Sequence, residues 1–499
     1  MFRRRQEAYE VRQPGARTRA RRRIGAAVIA GLTAWLCLAL APAAQAALGL
    51  QGLSAQPSNL AAGAHSDVNI HIGFSDAADQ VKDLTVHLPP GLVGNPTATP
   101  LCSVTQLNGD NCPANTQVGS VTAQVNVIVA GPLSVPLTVN GTLYNLTPHQ
   151  GEPARFGIVL RPLGGLIGAT KIIQQSGVQL RRSDFGLDTI VDDFPRTASG
   201  LETDITSLDL SLMGTANGHG FMRNPTSCTP KTVTFDAVSY GGHSAHGSAP
   251  SFTPTGCAAL PFSPTLSVSV GAGPSVRAPA LTTTIRQDNG EAGLKRAEVL
   301  LSDNVGPNLD ALSHPCTLIQ FRVNATACPA NSIVGRASAI SPFVSGALSG
   351  PVVIVQPGPH DLFPRLGVDL RGALSLQVLG SFVAESTGLG NAFEKLPDIP
   401  ISLFALHFNG GKGGLLTTAL NLCTAPPQRF QASFDGDETE YLDTFTDVIP
   451  WRLVKLFGTC FGVLIIPGLY YIFGKIAEKK QFVKDEEENP LTEEIDHNV

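Results

Sequence analysis

Apolar and polar residues alternate along much of the chain with a period of two. The runs VNIHIGF (68–74), VTAQVNVIV (121–129) and LSVPLTV (133–139) place an apolar side chain at every second position. This period is typical of half-buried antiparallel strands. Glycine, with 51 residues, and proline, with 37, divide the runs into short segments. The pattern predicts an all-β body of packed sheets, with short helices expected only near residues 174–181 or 388–395.

A short motif occurs twice in this body. CPANTQVG begins at Cys112 and CPANSIVG begins at Cys328, and each follows an earlier cysteine. A strand-like segment and a Gly/Pro/Asn turn precede both copies in the same order. Ordered recurrence at a near-constant offset indicates an internal duplication. The motif glycines, Gly119 and Gly335, are expected to permit a bulge or a close approach of two backbones.

The cysteine spacing predicts disulfides in an oxidising compartment, because no CxxC pair indicates a zinc or redox site. The predicted pairs are Cys102 with Cys112, Cys228 with Cys257, and Cys316 with Cys328. The counterpart of Cys228 in the second copy is Cys423, but its own partner is missing near residue 450. We therefore predict two related β-sandwich modules, each clipped by a disulfide, the second of which is a candidate for truncation.

The N-terminal segment is typical of an export signal. Residues 1–23 contain nine arginines, an apolar run follows to residue 40, and Ala44 and Ala46 occupy small-residue cleavage positions. We expect cleavage after Ala46; an uncleaved anchor helix is the alternative. The remaining chain has 26 basic and 38 acidic residues, a balance that disfavours nucleic acid as a partner.

The C-terminal segment predicts a membrane helix. Residues 453–473 are apolar apart from Lys455, and Trp451 and Tyr470 suit the two membrane interfaces. Lysines follow directly, so the positive-inside rule places the C-terminus in the cytoplasm. The alternative is a buried core helix.

These predictions divide the chain into six segments. They are a signal peptide (1–46), β-sandwich module one (47–268), a Gly/Pro-rich linker (269–280), β-sandwich module two (281–435), a juxtamembrane and transmembrane helix (436–475), and an acidic disordered tail (476–499).

Two parts of the chain resemble known families. The end, GVLIIPGLYYIFGKIAEKK followed by DEEENPLTEEIDHNV, resembles the last transmembrane helix and tail of resistance-nodulation-division efflux permeases of the hydrophobe/amphiphile type. That resemblance implies proton-driven efflux through many membrane helices, which one or two predicted helices cannot form. The repeated body resembles secreted CPANSxVG-repeat proteins of high-GC actinobacteria, and this resemblance supplies no site residues.

Few residues suggest chemistry. His243 and His246 are weak candidates for metal ligands, because zinc needs a third ligand and the segment 239–251 is typical of a polar loop. No GxSxG elbow, phosphate-binding loop or dinucleotide fingerprint occurs. The sequence therefore predicts no cofactor, no metal and no catalysis.

Three hypotheses about function remain. The first is an exported, membrane-anchored cell-surface β-repeat protein with a structural or adhesion role, whose partners are the membrane and a cell-envelope glycan or protein. The second is a secreted hydrolase with a site in loops such as 239–251; a tight cluster of histidines and carboxylates in a cleft would favour it. The third is a fusion product that carries the terminal helix of an efflux permease and is not transport-competent.

Overall fold

The computed structural model describes residues 48–448, apart from residues 76–78, 131–132, 163–170, 199, 276, 360, 386–387, 422–424 and 437–441. The predicted signal peptide, the apolar run 453–473 and the tail lie outside the described residues, as do Cys423 and Cys460, the cysteine within that run. Within the described part of the chain, no helix combines the length and apolar character needed to cross a membrane.

Module one is built on one antiparallel sheet with two short accessory pairs. Its strands are β1 (Leu50–Pro57), β2 (Val68–Phe74), β3 (Val81–Leu88), β4 (Val93–Gly94), β5 (Gln117–Ala130), β6 (Leu133–Leu146), β7 (Arg155–Arg161), β8 (Ile172–Leu180), β9 (Leu187–Val191), β10 (Thr197–Ala198), β11 (Leu201–Leu212), β12 (Thr215–Ala216), β13 (His219–Gly220), β14 (Met222–Arg223), β15 (Thr234–Ser239) and β16 (Ser244–Ser248). Their order in the main sheet is β1-β2-β11-β5-β6-β7-β8-β9-β3-β15-β16, and β10 pairs with β11. The accessory pairs are β12 with β13 and β4 with β14.

Module two repeats this arrangement. Its strands are β17 (Thr265–Ser275), β18 (Ala278–Arg286), β19 (Leu294–Leu300), β20 (Val305–Pro307), β21 (Ile333–Ile340), β22 (Leu348–Val355), β23 (Arg365–Arg371), β24 (Ser375–Glu385), β25 (Gly388–Phe393), β26 (Leu403–Phe408), β27 (Leu416–Thr418), β28 (Gln428–Gly436) and β29 (Leu442–Val448). The order is β17-β18-β26-β21-β22-β23-β24-β25-β19-β28-β29, and β20 pairs with β27. Every strand of this sheet has a counterpart in module one, as the internal duplication predicts.

Each sheet curls until its two edge strands lie side by side, which gives a barrel-like sandwich. In module one, Gly247 of β16 lies against Leu50 and Leu53 of β1. The inward-facing side chains of each sheet form a separate apolar core. The all-β prediction is therefore confirmed, whereas the two expected helices are wrong. Residues 174–181 contain most of β8 and residues 388–395 contain all of β25, and each of these strands pairs with a neighbour on both sides.

The structure also moves the predicted module boundaries. Residues 269–280, predicted to be a linker, belong largely to β17 and β18, which pair as a hairpin at the edge of the second sheet. The glycines and proline there accompany a chain reversal rather than a break between domains. Module two extends past residue 435, because β29 pairs with β28.

The three predicted disulfides are present, with Cα–Cα distances of 5.5 Å, 5.9 Å and 5.4 Å. A short helix lies within each of the two short loops: Val104–Gly109 in module one and Leu318–Asn324 in module two. Each helix begins with a capping box, in which Ser103 or Thr317 exchanges hydrogen bonds with a glutamine three residues later. The helices cover the outer face of the sheet with one fully buried side chain each, Leu107 and Phe321. We call the two loops closed by Cys102–Cys112 and Cys316–Cys328 the clips. Each clip covers a small second core on the outer face of its sheet.

The motif glycines lie where two strands come unusually close. Both follow a β-bulge, between Gln117 and Gly119 in β5 and between Ile333 and Gly335 in β21. A Cβ on Gly119 would stand 2.4 Å from the carbonyl oxygen of Ser211, and one on Gly335 would stand 2.1 Å from that of His407. A bulge or a close approach was expected at these glycines, and both occur there.

Buried polar residues join the two modules. Thr226 of module one donates its backbone N–H and its hydroxyl to the carboxylate of Asp398 at 2.8 Å and 2.6 Å, and its Oγ1 accepts from the N–H of Gly293 at 2.8 Å. Arg223, also in module one and 2% exposed, donates from Nη2 to the carbonyl of Glu291 at 2.9 Å. These directional bonds fix the contact between the modules.

Candidate functional site on the outer face of module one

A row of ionisable side chains crosses four neighbouring strands of module one. Its members alternate between basic and acidic side chains and come from β9, β3, β15, β16 and the residue after β8. They are Arg181, Asp188, His87, Asp236 and His246, and we call them the histidine network. Because the residues on either side of His87 are buried in the core, His87 itself points to the outer face.

Hydrogen bonds connect the histidine network from end to end. His87 contacts Asp188 through Nδ1 at 2.7 Å and Asp236 through Nε2 at 2.9 Å. Asp188 also accepts from Nη1 of Arg181 at 2.5 Å, and Asp236 is bonded to Nδ1 of His246. The two strands that flank β3 thus hold His87 from opposite sides.

This geometry sets the charge of His87. Both ring nitrogens face carboxylate oxygens, so both must donate, and only the protonated imidazolium can do this. Burial alone lowers the pKa of His87, but the hydrogen bonds to Asp188 and Asp236 outweigh that effect and raise the pKa above its ordinary value. The hydrogen bond from His246, aided by His87, holds the pKa of Asp236 below its ordinary value despite partial burial.

An open depression lies beside the histidine network. His87, Arg181 and His246 border it, with Asp184, Lys231 and three prolines. Asp184 accepts from Nη2 of Arg181 at 3.0 Å. The depression therefore offers both signs of charge to a polar ligand, against a wall that the prolines keep rigid.

Module two lacks the histidine network at the corresponding positions. The equivalent strands β3 and β19 each carry a bulge near their first residue. Matching the bulge residues, Lys82 and Lys295, aligns the two strands. Following the cross-strand pairs from these strands gives the counterparts: Leu300 for His87, Gly390 for Asp188, Ser433 for Asp236, Asp443 for His246 and Glu385 for Arg181. Module two therefore forms the same sheet with a buried leucine, Leu300, at the position of His87.

The histidine network meets one sequence criterion for a hydrolase, since it gathers histidines and carboxylates beside a depression. Its geometry does not suit a general base, because carboxylates occupy both nitrogens of His87. His246 has a more exposed side chain, at 69%. Among the described residues, however, no serine, threonine or cysteine side chain bonds to either histidine, so the nucleophile of a triad is lacking.

The two candidate metal ligands, His243 and His246, form hydrogen bonds with two different carboxylates. His243 contacts Asp79 through Nδ1 at 2.6 Å, whereas His246 contacts Asp236. Burial raises the pKa of Asp79, but hydrogen bonds from Ser239, His243 and the backbone outweigh this and lower it. In the described part of the chain, no group of three His, Cys, Asp or Glu residues is arranged to hold a metal ion.

The segment around these histidines is not the loop that was expected. Residues 244–248 form β16, which pairs with β15 along its whole length. Alternation of small and polar residues, SAHGS, conceals the strand because it contains no large apolar side chain.

Sequence reasoning identified His246 but missed the other four members of the histidine network. They are separated by up to 149 residues along the chain, and only the strand order brings them together. One local signal existed: His87 lies in the strand VKDLTVHL, and the second copy has leucine at the corresponding position.

Comparisons with known proteins identify no family. No family model and no curated protein matches the chain. Among solved structures, it is similar to the Enterococcus faecalis MSCRAMM ACE, which binds its ligands by the collagen hug model, at 7% identity and a TM-score of 0.18 over 80% of this chain and 93% of that one.

Two further similarities are equally remote. A protein from Corynebacterium diphtheriae described as membrane anchored gives 9% identity and a TM-score of 0.17, with 81% of this chain and 93% of that one covered. The type II cohesin dyad of the Acetivibrio cellulolyticus scaffoldin ScaA gives 6% and 0.16, with 78% and 89% covered. Similarities at this level support no statement about a ligand.

Proposed function

We propose that the chain is an exported, membrane-anchored cell-surface protein whose module one binds a cell-envelope glycan or protein. The binding surface is the histidine network with the depression beside it. Module two is a scaffold of the same fold, and the proposed role involves no catalysis. Export is supported by the three disulfides and by the sequence of residues 1–46, and anchoring by the sequence of residues 453–473.

One observation carries the proposal. The duplicated fold contains an internal control, because module two builds the same sheet with Leu300 in place of His87. The fold therefore does not require the histidine network. Charged residues that are assembled across several strands without a structural need are typical of a binding surface.

A binding screen tests this proposal. The purified full-length chain would be applied to arrays of envelope glycans and surface proteins, beside the variant His87→Leu/Asp236→Ser, which introduces the residues of module two. His71→Leu is the matched control, because His71 forms a similar pair with Asp209 at 2.6 Å on β2 and β11. We expect the double variant to lose at least about tenfold in affinity and the control to stay within about twofold.

Three outcomes would contradict the proposal: no ligand on either array, equal losses in the control, or no loss in the double variant. Hydrolysis of the bound partner that disappears in the double variant would favour the hydrolase hypothesis instead. Anchoring has its own test, since an anchored chain stays in the membrane fraction after alkaline carbonate and is released by detergent.

A fusion origin for the C-terminal part is a second proposal. In module one, residues 249–264 follow β16 and supply Cys257, the partner of Cys228. The corresponding stretch of module two begins after β29, where the sequence changes to the apolar run. Sequencing codons 425–455 from single DNA molecules tests it; an assembly error would appear as a breakpoint, and a natural fusion as continuous reads.

A further inference from the structure

Each barrel encloses an apolar cavity of about 110 Å³. The two cavities have equivalent walls, because inward side chains from corresponding positions line both. In module one they come from β3 and are Leu84, Val86 and Leu88. In module two they come from β19 and the residue after it and are Ala297, Val299 and Leu301. Cavities of about 150 Å³ with aliphatic walls take up small apolar molecules. Since the sequences have diverged while the cavity persists, it is a property of the repeated fold.

As far as the described residues show, unpaired amide groups line the cavity of module two and not that of module one. Within the described part of the chain, Oδ1 and Nδ2 of Asn391 and Oε1 of Gln287 are buried without a hydrogen-bond partner. The other amide atom of Gln287 is satisfied, because Nε2 donates to the carbonyl of Ala292 at 2.6 Å. Unpaired buried groups of this kind cost about 1–3 kcal/mol each, so a ligand that pairs with them gains affinity.

The surroundings of Asn391 leave space for its amide. Gly380 on β24 lies directly beside it, and a Cβ on Gly380 would stand 2.2 Å from Oδ1 of Asn391. In module one the position of Asn391 is taken by Thr189, and that of Gln287 by Phe74. Module one therefore has the cavity without the amide groups.

The wall also determines the charge of the ligand. Its unpaired groups are two acceptors, Asn391 Oδ1 and Gln287 Oε1, and one donor, Asn391 Nδ2. No lysine, arginine or histidine lines this cavity among the described residues. A carboxylate would face two acceptors without a compensating cation, whereas a hydroxyl group can donate to one acceptor and accept from the donor.

We propose that the barrel of module two binds a neutral amphiphile: an aliphatic chain that ends in a hydroxyl group. The chain lies against the leucine, isoleucine and phenylalanine side chains of the cavity. The hydroxyl group pairs with the amide of Asn391. This site is separate from the histidine network, and its existence does not depend on the proposed function of module one.

Titration of the full-length chain with three probes of equal chain length tests the proposal. They are 1-hexanol, hexane and hexanoate, and binding is followed by calorimetry and by changes in the spectrum of isotope-labelled methyl groups. We expect 1-hexanol to bind at one site per chain, about tenfold more tightly than hexane and hexanoate, which corresponds to one additional hydrogen bond.

Matched variants locate the site. Ala339 lines the cavity of module two, and Ala123 occupies the equivalent position in module one, four residues after the motif glycine in both cases. Ala339→Phe should abolish binding of 1-hexanol, whereas Ala123→Phe should leave it unchanged. Asn391→Thr, which introduces the residue of module one, should remove the preference for 1-hexanol over hexane.

Several results would overturn the proposal. They are the absence of saturable binding, as expected if the cavity holds only water, equal losses in Ala123→Phe and Ala339→Phe, and an unchanged preference in Asn391→Thr. If Ala339→Phe fails to fold, the preference measured for Asn391→Thr decides by itself, because this variant preserves the volume of the barrel more closely.

Discussion

Module one and module two have the same strand order but differ in the polar side chains of the outer face and of the cavity. Both retain the disulfide clip, the capped helix within it, the bulged glycine and the apolar interior. Among the described residues, the histidine network is confined to module one, and unpaired amides line the cavity of module two alone. We therefore infer that features present in both modules are needed for the fold. Features present in one module alone are not needed for it.

The length of one hairpin provides a second contrast. β5 and β6 of module one have 14 residues each, whereas β21 and β22 of module two have 8 each. The extra residues of module one expose Val129, Leu133 and Val135. Extension at the end of a hairpin leaves the core unchanged. The hairpin of module one therefore extends further from its barrel, although the fold is the same.

The largest expected effect is the loss of a clip. Replacing both cysteines of the pair Cys102–Cys112 by serine should lower the free energy of unfolding by about 2–4 kcal/mol, and the pair Cys316–Cys328 should give a similar loss. The reason is that both bridges close loops of similar length, with separations of 10 and 12 residues. Guanidinium unfolding of both variants measures the losses. A loss in one module more than twice that in the other would break the equivalence of the clips.

The motif glycines should give the next effect. Gly119→Ala and Gly335→Ala each place a methyl group against a backbone carbonyl, and we expect each to cost about 1–3 kcal/mol. Gly306→Ala is the control, because nothing lies within 4 Å of a Cβ at that position. Urea unfolding of the three variants would compare them. If Gly306→Ala is as harmful as the other two, close approach is not the reason for the motif glycine.

The contact between the modules provides the third prediction. Thr226→Val removes the hydroxyl that bonds to Asp398 and Gly293, and this should cost about 1–3 kcal/mol because the carboxylate loses a buried partner. Thr226→Ser retains the hydroxyl and should cost less. Thermal unfolding of the two variants measures the difference. A larger loss in Thr226→Ser than in Thr226→Val would show that the methyl group of Thr226, rather than its hydrogen bonds, joins the modules.

The smallest effect concerns pH and applies to module one alone. The pKa of His87 is raised in the folded protein, so its stabilising contribution is complete below the unfolded pKa of about 6.5 and is lost as the pH rises through the higher folded value. Towards acid, the lowered pKa of Asp236 means that its contribution is lost as the pH falls through that value. We therefore expect His87→Leu to destabilise by about 1 kcal/mol in mildly acidic solution and by less in alkaline solution.

Melting curves at several pH values would measure this effect for His87→Leu and the parent chain. A difference in melting temperature that does not change with pH would show that His87 is not charged in the fold. The reverse exchange in module two, Leu300→His, should destabilise at every pH, because Leu300 is buried and its neighbour Gly390 supplies no carboxylate.

Much of the fold could be predicted from local pattern. Alternation identified strands such as β2 and β5, and cysteine spacing identified all three disulfides, because both signals depend on residues close together in sequence. The same approach failed for β8 and β17, whose polar or Gly/Pro-containing sequences become strands through pairing with their neighbours. The capping boxes at Ser103 and Thr317 were also present in the sequence as a serine or threonine followed by glutamine.

The candidate sites were much harder to predict. The histidine network needs the order β9-β3-β15-β16, which brings His87 beside residues that are 101 and 149 positions away. Nothing in the local sequence of Asp188 or Asp236 reveals this neighbourhood. The amide of Asn391 is likewise unremarkable in the sequence, and its importance depends on the closed sheet around it. A comparison of the two copies position by position would have pointed to both.

The short span of the clips bears on how such a chain can mature. If the chain is exported, as we propose, each clip can close once its own dozen or so residues have crossed the membrane, because ring closure over so short a segment has a small entropic cost. In such a chain, the short bridge Cys102–Cys112 of module one can form before Cys316 and Cys328 of module two emerge. Emergence from N- to C-terminus thereby protects a tandem protein with near-identical thiol motifs from cross-linking one copy to the other.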